Sequence, residues 1–429
     1  MSCTVAVDEL SVGMYIHLDG GWLSHPFPLS SFRISSPEQI ETLRGLGLAR
    51  VRWVPEKSDP PPVPAAAAAA ADAAPGAAAA ATGAAAAEAT IEERAAQRRR
   101  QQLCAQREAL QRCERQYGEA AQALRAASEA VVLKPQVAGR ATEALARTML
   151  DKMGVSDEIG IRLVGSGDRA TTHALNVSVV SLLVGRSLGL AEDELLDLGV
   201  GALMHDVGKL ELAERCRHAD EHSPAGELAA YRDHVGRGVA QARRMALTPG
   251  ATAVLAQHHE SADGSGFPMQ LRSDRMSMPA RIVAIVNRYD NLCNPPLRVA
   301  PLTPHEAVAT LFAQGRARFD ATVLNAFIRV VGVYPAGSLV QLTDDRHALV
   351  VGVNSSRPLK PRVLVHDPRV PRNEAIIVNL EQVADLGIRR SLAASRVPAA
   401  ALSYLDPRPR VSYYFEPLVR ETRREELAA

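Results

Sequence analysis

Leu203-Met204-His205-Asp206-Val207-Gly208-Lys209 sets an imidazole beside a carboxylate at the end of an apolar helical run, Glu192 to Met204, and follows them with a glycine and a lysine. Neighbouring side chains on a helix diverge, so one member of the His205-Asp206 pair can ligate a cation while the other bridges to a second. Lys209 lies three residues after Asp206, about one helical turn on, where its ammonium group can neutralise phosphate charge. Upstream stands His173. Downstream come His234 and a second adjacent pair in His258-His259-Glu260-Ser261-Ala262-Asp263-Gly264-Ser265-Gly266-Phe267-Pro268. In that stretch Gly264, Gly266 and Pro268 predict a tight loop that lets backbone approach a ligand. Imidazoles mixed with carboxylates suit divalent iron, manganese or zinc. Two such ions about 3.5–4 Å apart can clamp a phosphate during in-line attack. A lone histidine is most often structural; the ordered set carries the reading. His17, His25, His218, His222, His305, His347 and His366 lack such a context and read as surface or structural residues.

Around this set the chain divides by composition and period. Residues 1–57 read as a small unit with both strands and helix: Val5 and Val7 alternate with polar neighbours, Ser36-Pro37 opens a short helix, and Arg50 to Val54 closes as a strand. Residues 58–89, with Pro60-Pro61-Pro62 and a polyalanine tract broken by Pro75-Gly76, read as a linker. Thr90 and Glu93 make a capping box for a long charged helix over 90–130. There Leu103, Leu110, Tyr117 and Leu124 recur every seven residues, half of a heptad seam, which leaves both a homodimer contact and packing on the chain's own domain open. Over 131–336 apolar residues follow the helical period, as in Leu145, Met149 and Met153, with ligand-type residues at helix ends. Residues 337–429 switch to strand signals and read as a small β-rich extension without chemistry. The fold class is therefore mainly α: a helical bundle flanked by small β-rich N- and C-terminal units.

The 429 residues carry a net charge of +1, so nothing global points to nucleic acid or a membrane surface. The five cysteines are scattered and odd in number, which suits reduced thiols and a cytoplasmic setting. No basic leader precedes an apolar core at the N-terminus, and no uncharged run is long enough to span a bilayer; Ala174 to Leu190 reads as a buried core helix.

From His173-Ala174-Leu175 through Ala202 to Lys209, His234 with Gly238, His258 to Pro268, Arg281-Ile282 and Tyr289-Asp290, to Phe319-Asp320 and Tyr334-Pro335, the sequence closely resembles the HD-GYP branch of the HD metal-dependent phosphohydrolases. Gly13-Met14-Tyr15-Ile16, Trp22-Leu23, His25-Pro26-Phe27 and Ser31-Phe32 resemble the DUF3391-type domain often found ahead of it. The resemblance implies an all-helical HD bundle with a multinuclear iron or manganese centre, here two divalent ions. It implies hydrolysis of cyclic di-GMP to pGpG or GMP through a metal-bridging hydroxide. His173, His205 and Asp206 would hold one ion, and Asp206, His234, His258 and His259 the other. Asn287 falls where the family carries a closing metal-binding aspartate. Lys209, with Asp263, Gly264, Gly266, Phe267, Pro268 and Arg298, would line the substrate site. The Gly-Phe-Pro loop and the N-terminal unit are candidate docking surfaces for signalling proteins. Four positions depart from the family pattern: Asn287 itself, Arg169 in place of a glutamate that serves a third metal, Asn294 to Arg298 in place of Arg-Pro-Tyr, and Phe267 in place of the name-giving tyrosine. These departures motivate an alternative, a catalytically degenerate module that binds cyclic di-GMP or a protein partner without turnover.

Overall fold

The computed structural model describes residues 3–18, 31–44, 48, 50–54, 58, 79–154, 158–165, 167–220, 222–296, 299–315, 317–354 and 357–417. These fall into two compact units.

The first unit is built on strands β1 (Cys3–Ala6), β2 (Tyr15–His17), β3 (Ser31–Arg33) and β4 (Arg50–Trp53), with helix α1 (Pro37–Arg44). The strands pair antiparallel in the order β1-β4-β2-β3. Val5, Ile16 and Val51 on the sheet meet Ile34, Ile40 and Leu43, and this small core agrees with the alternating pattern. Trp22 to Phe27 lie outside the described residues. Helix α2 runs Ala79–Ala130. Its start corrects the expected linker: the last residues of 58–89 are helical, because alanine loses least on entering a helix and continues one already nucleated. The segment around Asn373 to Ile377 also belongs to this unit: the Arg99 guanidinium donates to the Glu374 carbonyl, and Gln106 exchanges hydrogen bonds with the Ile377 backbone.

The second unit holds helices α3 (Pro135–Gly154), α4 (Arg169–Ser187), α5 (Glu192–Met204), α6 (Ala225–Arg244), α7 (Pro249–Gln257), α8 (Met278–Cys293), α9 (Pro304–Gln314) and α10 (Ala321–Val331). Asp168, Thr248, Ser277, Thr303 and Asp320 cap α4, α7, α8, α9 and α10 by accepting from first-turn N–H groups. Helix α4 is apolar on nearly all sides and accordingly buried, with α5, α8 and α10 against it. Helix α5 packs on α3, α4, α7 and α8. A Cβ at Gly201 would stand 2.5 Å from that of Val254, so this glycine sets how closely α5 and α7 approach.

Two sequence expectations change here. Strand β5 (Ile159–Leu163) interrupts the helices, and residues 337–429 are not a separate appendage. Strands β6 (Leu339–Leu342), β7 (His347–Asn354), β10 (Ile388–Leu392) and β11 (Tyr413–Pro417) pair antiparallel with it in the order β10-β6-β7-β5-β11, and the short strands β8 (Arg362–Val365) and β9 (Ile377–Asn379) lie between β7 and β10 in the chain. β11 also lies against α4. A short apolar run buried on both faces has no period that separates strand from helix, which is why β5 read as helix. The heptad residues Tyr117 and Leu124 are buried, and the Tyr117 hydroxyl meets Thr172 Oγ1 at 3.1 Å, so this half of the seam packs on the chain's own domain. Among the described residues no helix is long and apolar enough to cross a membrane.

Candidate metal centre

Each histidine of the set is delivered by a helix. His205 and His258 are the C-cap residues of α5 and α7, and Asp206 and His259 follow them; the expected divergence is not seen, since His205 Nε2 lies 3.5 Å from Asp206 Oδ2 and the His258 and His259 rings are 4.2 Å apart. His234 comes from the middle of α6 and His173 from the second turn of α4. After Asp206 a 3-10 turn, Val207–Glu211, carries Lys209 back over the carboxylate. Gly208 lets that turn lie on α6: a Cβ there would sit 1.9 Å from the His234 carbonyl oxygen.

The ring orientations are fixed by hydrogen bonds on the far nitrogens. Nδ1–H of His205 donates to the Ala202 carbonyl at 2.8 Å, that of His258 to the Leu255 carbonyl at 2.8 Å, and that of His234 to the Tyr231 carbonyl, each three residues back on its own helix. His173 differs, meeting the Asp290 carboxylate through Nδ1 at 2.6 Å. With Nδ1 protonated, every Nε2 presents a bare lone pair. These lone pairs face one another, His173 to His205 at 3.2 Å and His234 to His258 at 3.3 Å. Two acceptors at that separation repel unless a cation lies between them.

Burial disfavours protons in that role on His205, His234 and His258. Burial, only partly opposed by Asp206, pushes His205 down to about 4. Burial likewise lowers His234, and it drives His258 and His259 well below the ordinary imidazole range. Asp206 stays ionised: burial opposes its charge, but Lys209 and the surrounding histidines hold its carboxyl well below the usual carboxylate range. Its Oδ2 lies 3.7 Å from His173 Nε2 and 3.5 Å from His205 Nε2. Its Oδ1 lies 3.5 Å from His234 Nε2 and 3.7 Å from His258 Nε2. Oδ1 is buried without a hydrogen-bond partner, a feature a bound cation would explain. Ligand atoms of Asp206, His234, His258 and His259 cluster within 4.8 Å of one another, as do those of His173, His205 and Asp206. The two clusters share only Asp206. The donor set fits two divalent ions bridged by one carboxylate.

Lys209 Nζ lies 2.7 Å from Asp206 Oδ2 and 5.1 Å from the centre of the Tyr231 ring. Burial opposes its charge, but Asp206 and Tyr231 raise its affinity for the proton. His259 stacks on Phe267 with centroids 4.5 Å apart, and the Arg232 guanidinium lies 5.5 Å over the Phe267 ring. The buried Glu260 shapes this loop: its two oxygens accept from the Met269 and Leu271 N–H groups at 2.7 and 2.9 Å. Asp263 accepts from Ser265 within the loop, Gly264 takes φ +80°, and Gly266 packs against the backbone of His259 to Ser261. Phe267 thus reaches the imidazole cluster, whereas the Asp263 carboxylate serves the turn. Asn287 is buried on α8, its Oδ1 accepting from Asn291 Nδ2 at 2.7 Å. Arg298 lies outside the described residues. Sequence reasoning missed Tyr231, Glu260, Asn176 and Asn294, and saw Asp290 only as a surviving motif position. Tyr231 sits three residues before His234, and that spacing is the one signal that could have marked it.

A buried imidazole–carboxylate cluster inside an α-helical bundle is suited to holding divalent ions for metal-assisted hydrolysis. Two family models match the chain: an HD domain over residues 134–323 and, ahead of it, a domain of unknown function, DUF3391, over residues 2–142. The chain is 28% identical over 232 residues to a cyclic di-GMP phosphodiesterase of Pseudomonas aeruginosa, covering 53% of this chain and 54% of that one. It is 22% identical over 228 residues to a cyclic di-GMP phosphodiesterase of Borreliella burgdorferi, covering 52% and 60%. It is 29% identical over 186 residues to a 3'3'-cGAMP-specific phosphodiesterase of Vibrio cholerae, covering 42% and 36%. The alignments with the first two therefore span between half and two thirds of those relatives.

Proposed function

We propose that this chain hydrolyses cyclic di-GMP to pGpG, GMP or both at a centre of two divalent ions, iron or manganese. His173, His205 and Asp206 would hold one ion, and Asp206, His234, His258 and His259 the other. The observation that carries the reading is the shared carboxylate, with one oxygen toward each pair of opposed imidazole lone pairs. The cyclic di-GMP phosphodiesterases among the relatives support the substrate. Two divalent ions would supply Lewis acidity toward the phosphodiester and toward water. The chain's own groups do the rest. Lys209, whose ammonium group lies 2.7 Å from Asp206 Oδ2, would offer it to a non-bridging phosphate oxygen. Tyr231 supports the Lys209 charge from beneath through its ring face. Phe267 holds the His259 ring in its stacked orientation. Water adds to phosphorus, the phosphorus bond to the 3' oxygen breaks, and the leaving alkoxide takes a proton.

The test is turnover by protein purified anaerobically and loaded with Fe(II) or Mn(II). Metal per chain is counted, products from cyclic di-GMP and 3'3'-cGAMP are separated by chromatography, and Asp206→Ala serves as control. About two metals per chain and a product that the control abolishes are expected. Cyclic di-GMP bound without turnover at full metal loading would refute the enzyme reading in favour of a receptor, for which Asn287, with its amide in place of a carboxylate, is the motive.

A further inference from the structure

Three of the four opposed histidines are oriented locally, by carbonyls of their own helices, but His173 is oriented by a carboxylate from another helix. That carboxylate is itself held. Asp290 is 1% exposed, and its Oδ1 accepts from Asn176 Nδ2 at 2.7 Å and from Asn294 Nδ2 at 2.9 Å. The same two amide groups also donate to the Val411 carbonyl, at 2.9 and 3.0 Å. The amide oxygens are used as well: Val411 N–H donates to Asn294 and Tyr413 N–H to Asn176, at 3.0 and 2.9 Å. Every polar atom of the two asparagine side chains is thereby engaged. α4, α8 and the start of β11 are tied together through one aspartate, with Tyr289 and Tyr413 closing the cluster hydroxyl to hydroxyl at 3.1 Å.

We propose that Asp290, clamped by Asn176, Asn294 and the Val411 backbone, is the positioning residue that sets the His173 tautomer and ring angle for its ion. Strand β11 is then a working part of one half of the centre and not of the other. This inference rests on the reading of His173 as a ligand. The physical reason is donor polarity. A carboxylate accepts only, so Nδ1 must carry the proton and Nε2 must face the ion with a lone pair, and the carboxylate raises the basicity of that nitrogen. Fully satisfied buried networks hold one geometry, because any other arrangement leaves a buried polar group unpaired.

Asp290→Asn in the full chain keeps the shape but can turn an amide N–H toward His173 Nδ1, which reverses the tautomer and caps Nε2 with a proton. Mn(II) titration, followed by bound metal per chain, should then show one ion weakened by about 10- to 100-fold and the other unchanged. Thermal unfolding of the metal-free protein checks that the variant is folded. Should it fail to fold, nitrogen NMR of the wild-type His173 ring decides instead: metal-free, Nδ1 is expected protonated and Nε2 bare. Two ions bound with wild-type affinity by folded Asp290→Asn, or a proton found on Nε2 of wild-type His173, would overturn the positioning role while leaving the metal reading intact. A wild-type chain that binds no Mn(II) at all would overturn the metal reading, and the positioning role with it.

Discussion

Gly208→Ala is a one-methyl perturbation with a calculable result. The new Cβ would lie 1.9 Å from the His234 carbonyl oxygen and 2.6 Å from the Gly238 nitrogen, both backbone atoms that cannot rotate aside. Real Cβ contacts essentially never fall under 3.0 Å, so the turn and α6 must separate by about 1 Å (3.0 less 1.9). Forced overpacking of this kind costs about 1–3 kcal/mol. At roughly 2 °C per kcal/mol for a unit of about 300 residues, the Tm of the metal-free protein should fall by about 2–6 °C. The same retreat carries His234 away from Asp206, and an offset near 1 Å is worth about 100-fold in rate. Gly238→Ala is the matched control: its Cβ would meet its nearest neighbour, the Gly208 nitrogen, at 3.7 Å, an ordinary contact. In a helix interior alanine is favoured over glycine by about 1 kcal/mol, so this variant should be neutral or more stable. The assay is thermal unfolding with metal counted per chain and turnover of cyclic di-GMP. A Gly208→Ala protein with wild-type Tm and wild-type metal content, or a Gly238→Ala protein damaged to the same degree, would refute the argument.

Lys209→Met removes the ammonium group from Asp206 Oδ2, so Mn(II) affinity should hold or rise while kcat falls by about 100-fold; equal loss of both would refute the phosphate role. Phe267→Tyr should keep turnover within about threefold because the stacked ring is retained, whereas Phe267→Ala frees His259 and should cost more than about tenfold; the kinetics of the two side by side decide it. For the metal-free chain the sign of the pH dependence follows from histidines buried neutral. His205 titrates at about 4 in the folded protein and near 6.5 unfolded, with His258 and His259 displaced in the same direction. The unfolded chain therefore binds more protons as pH falls from about 6.5 toward 4, and stability is lost across that window at about 1.4 kcal/mol per pH unit for each such histidine. Denaturant unfolding in chelator at pH 7, 6 and 5 tests this, and a flat or rising stability on acidification would contradict it.

The sequence made the local parts of the centre legible. Thr248-Pro249 announces the start of α7, the apolar run from Glu192 ends at Met204, and the two adjacent pairs fall at helix ends because the helical period stops there. The Ile159–Leu163 strand was not legible, since its partners Tyr413–Pro417 and Gly352–Asn354 lie far along the chain and its own burial is continuous rather than alternating. The role of Asp290 was hidden for a related reason. Motif spacing shows that an acid stands on α8, but only the fold shows that it faces His173 and not a cation. The helical alanines from Ala79 escaped because proline and glycine nearby outweighed propensity in the reading.

Contact distance along the chain also orders the assembly of the centre in time. His205, Asp206, His234, His258 and His259 arrive from three successive helices, so their cluster closes through short loops. The support for His173 waits on Val411, which lies 235 residues from Asn176 and 117 from Asn294. Contacts that close long loops form late, because their entropy must be lost before any interaction rewards it. On the proposed reading, a refolding chain should therefore close the α6–α7 side first and the α4 side last. Metal added early in refolding should then meet a site for one ion, with the site for two the slower product; equal early uptake of both would count against this order.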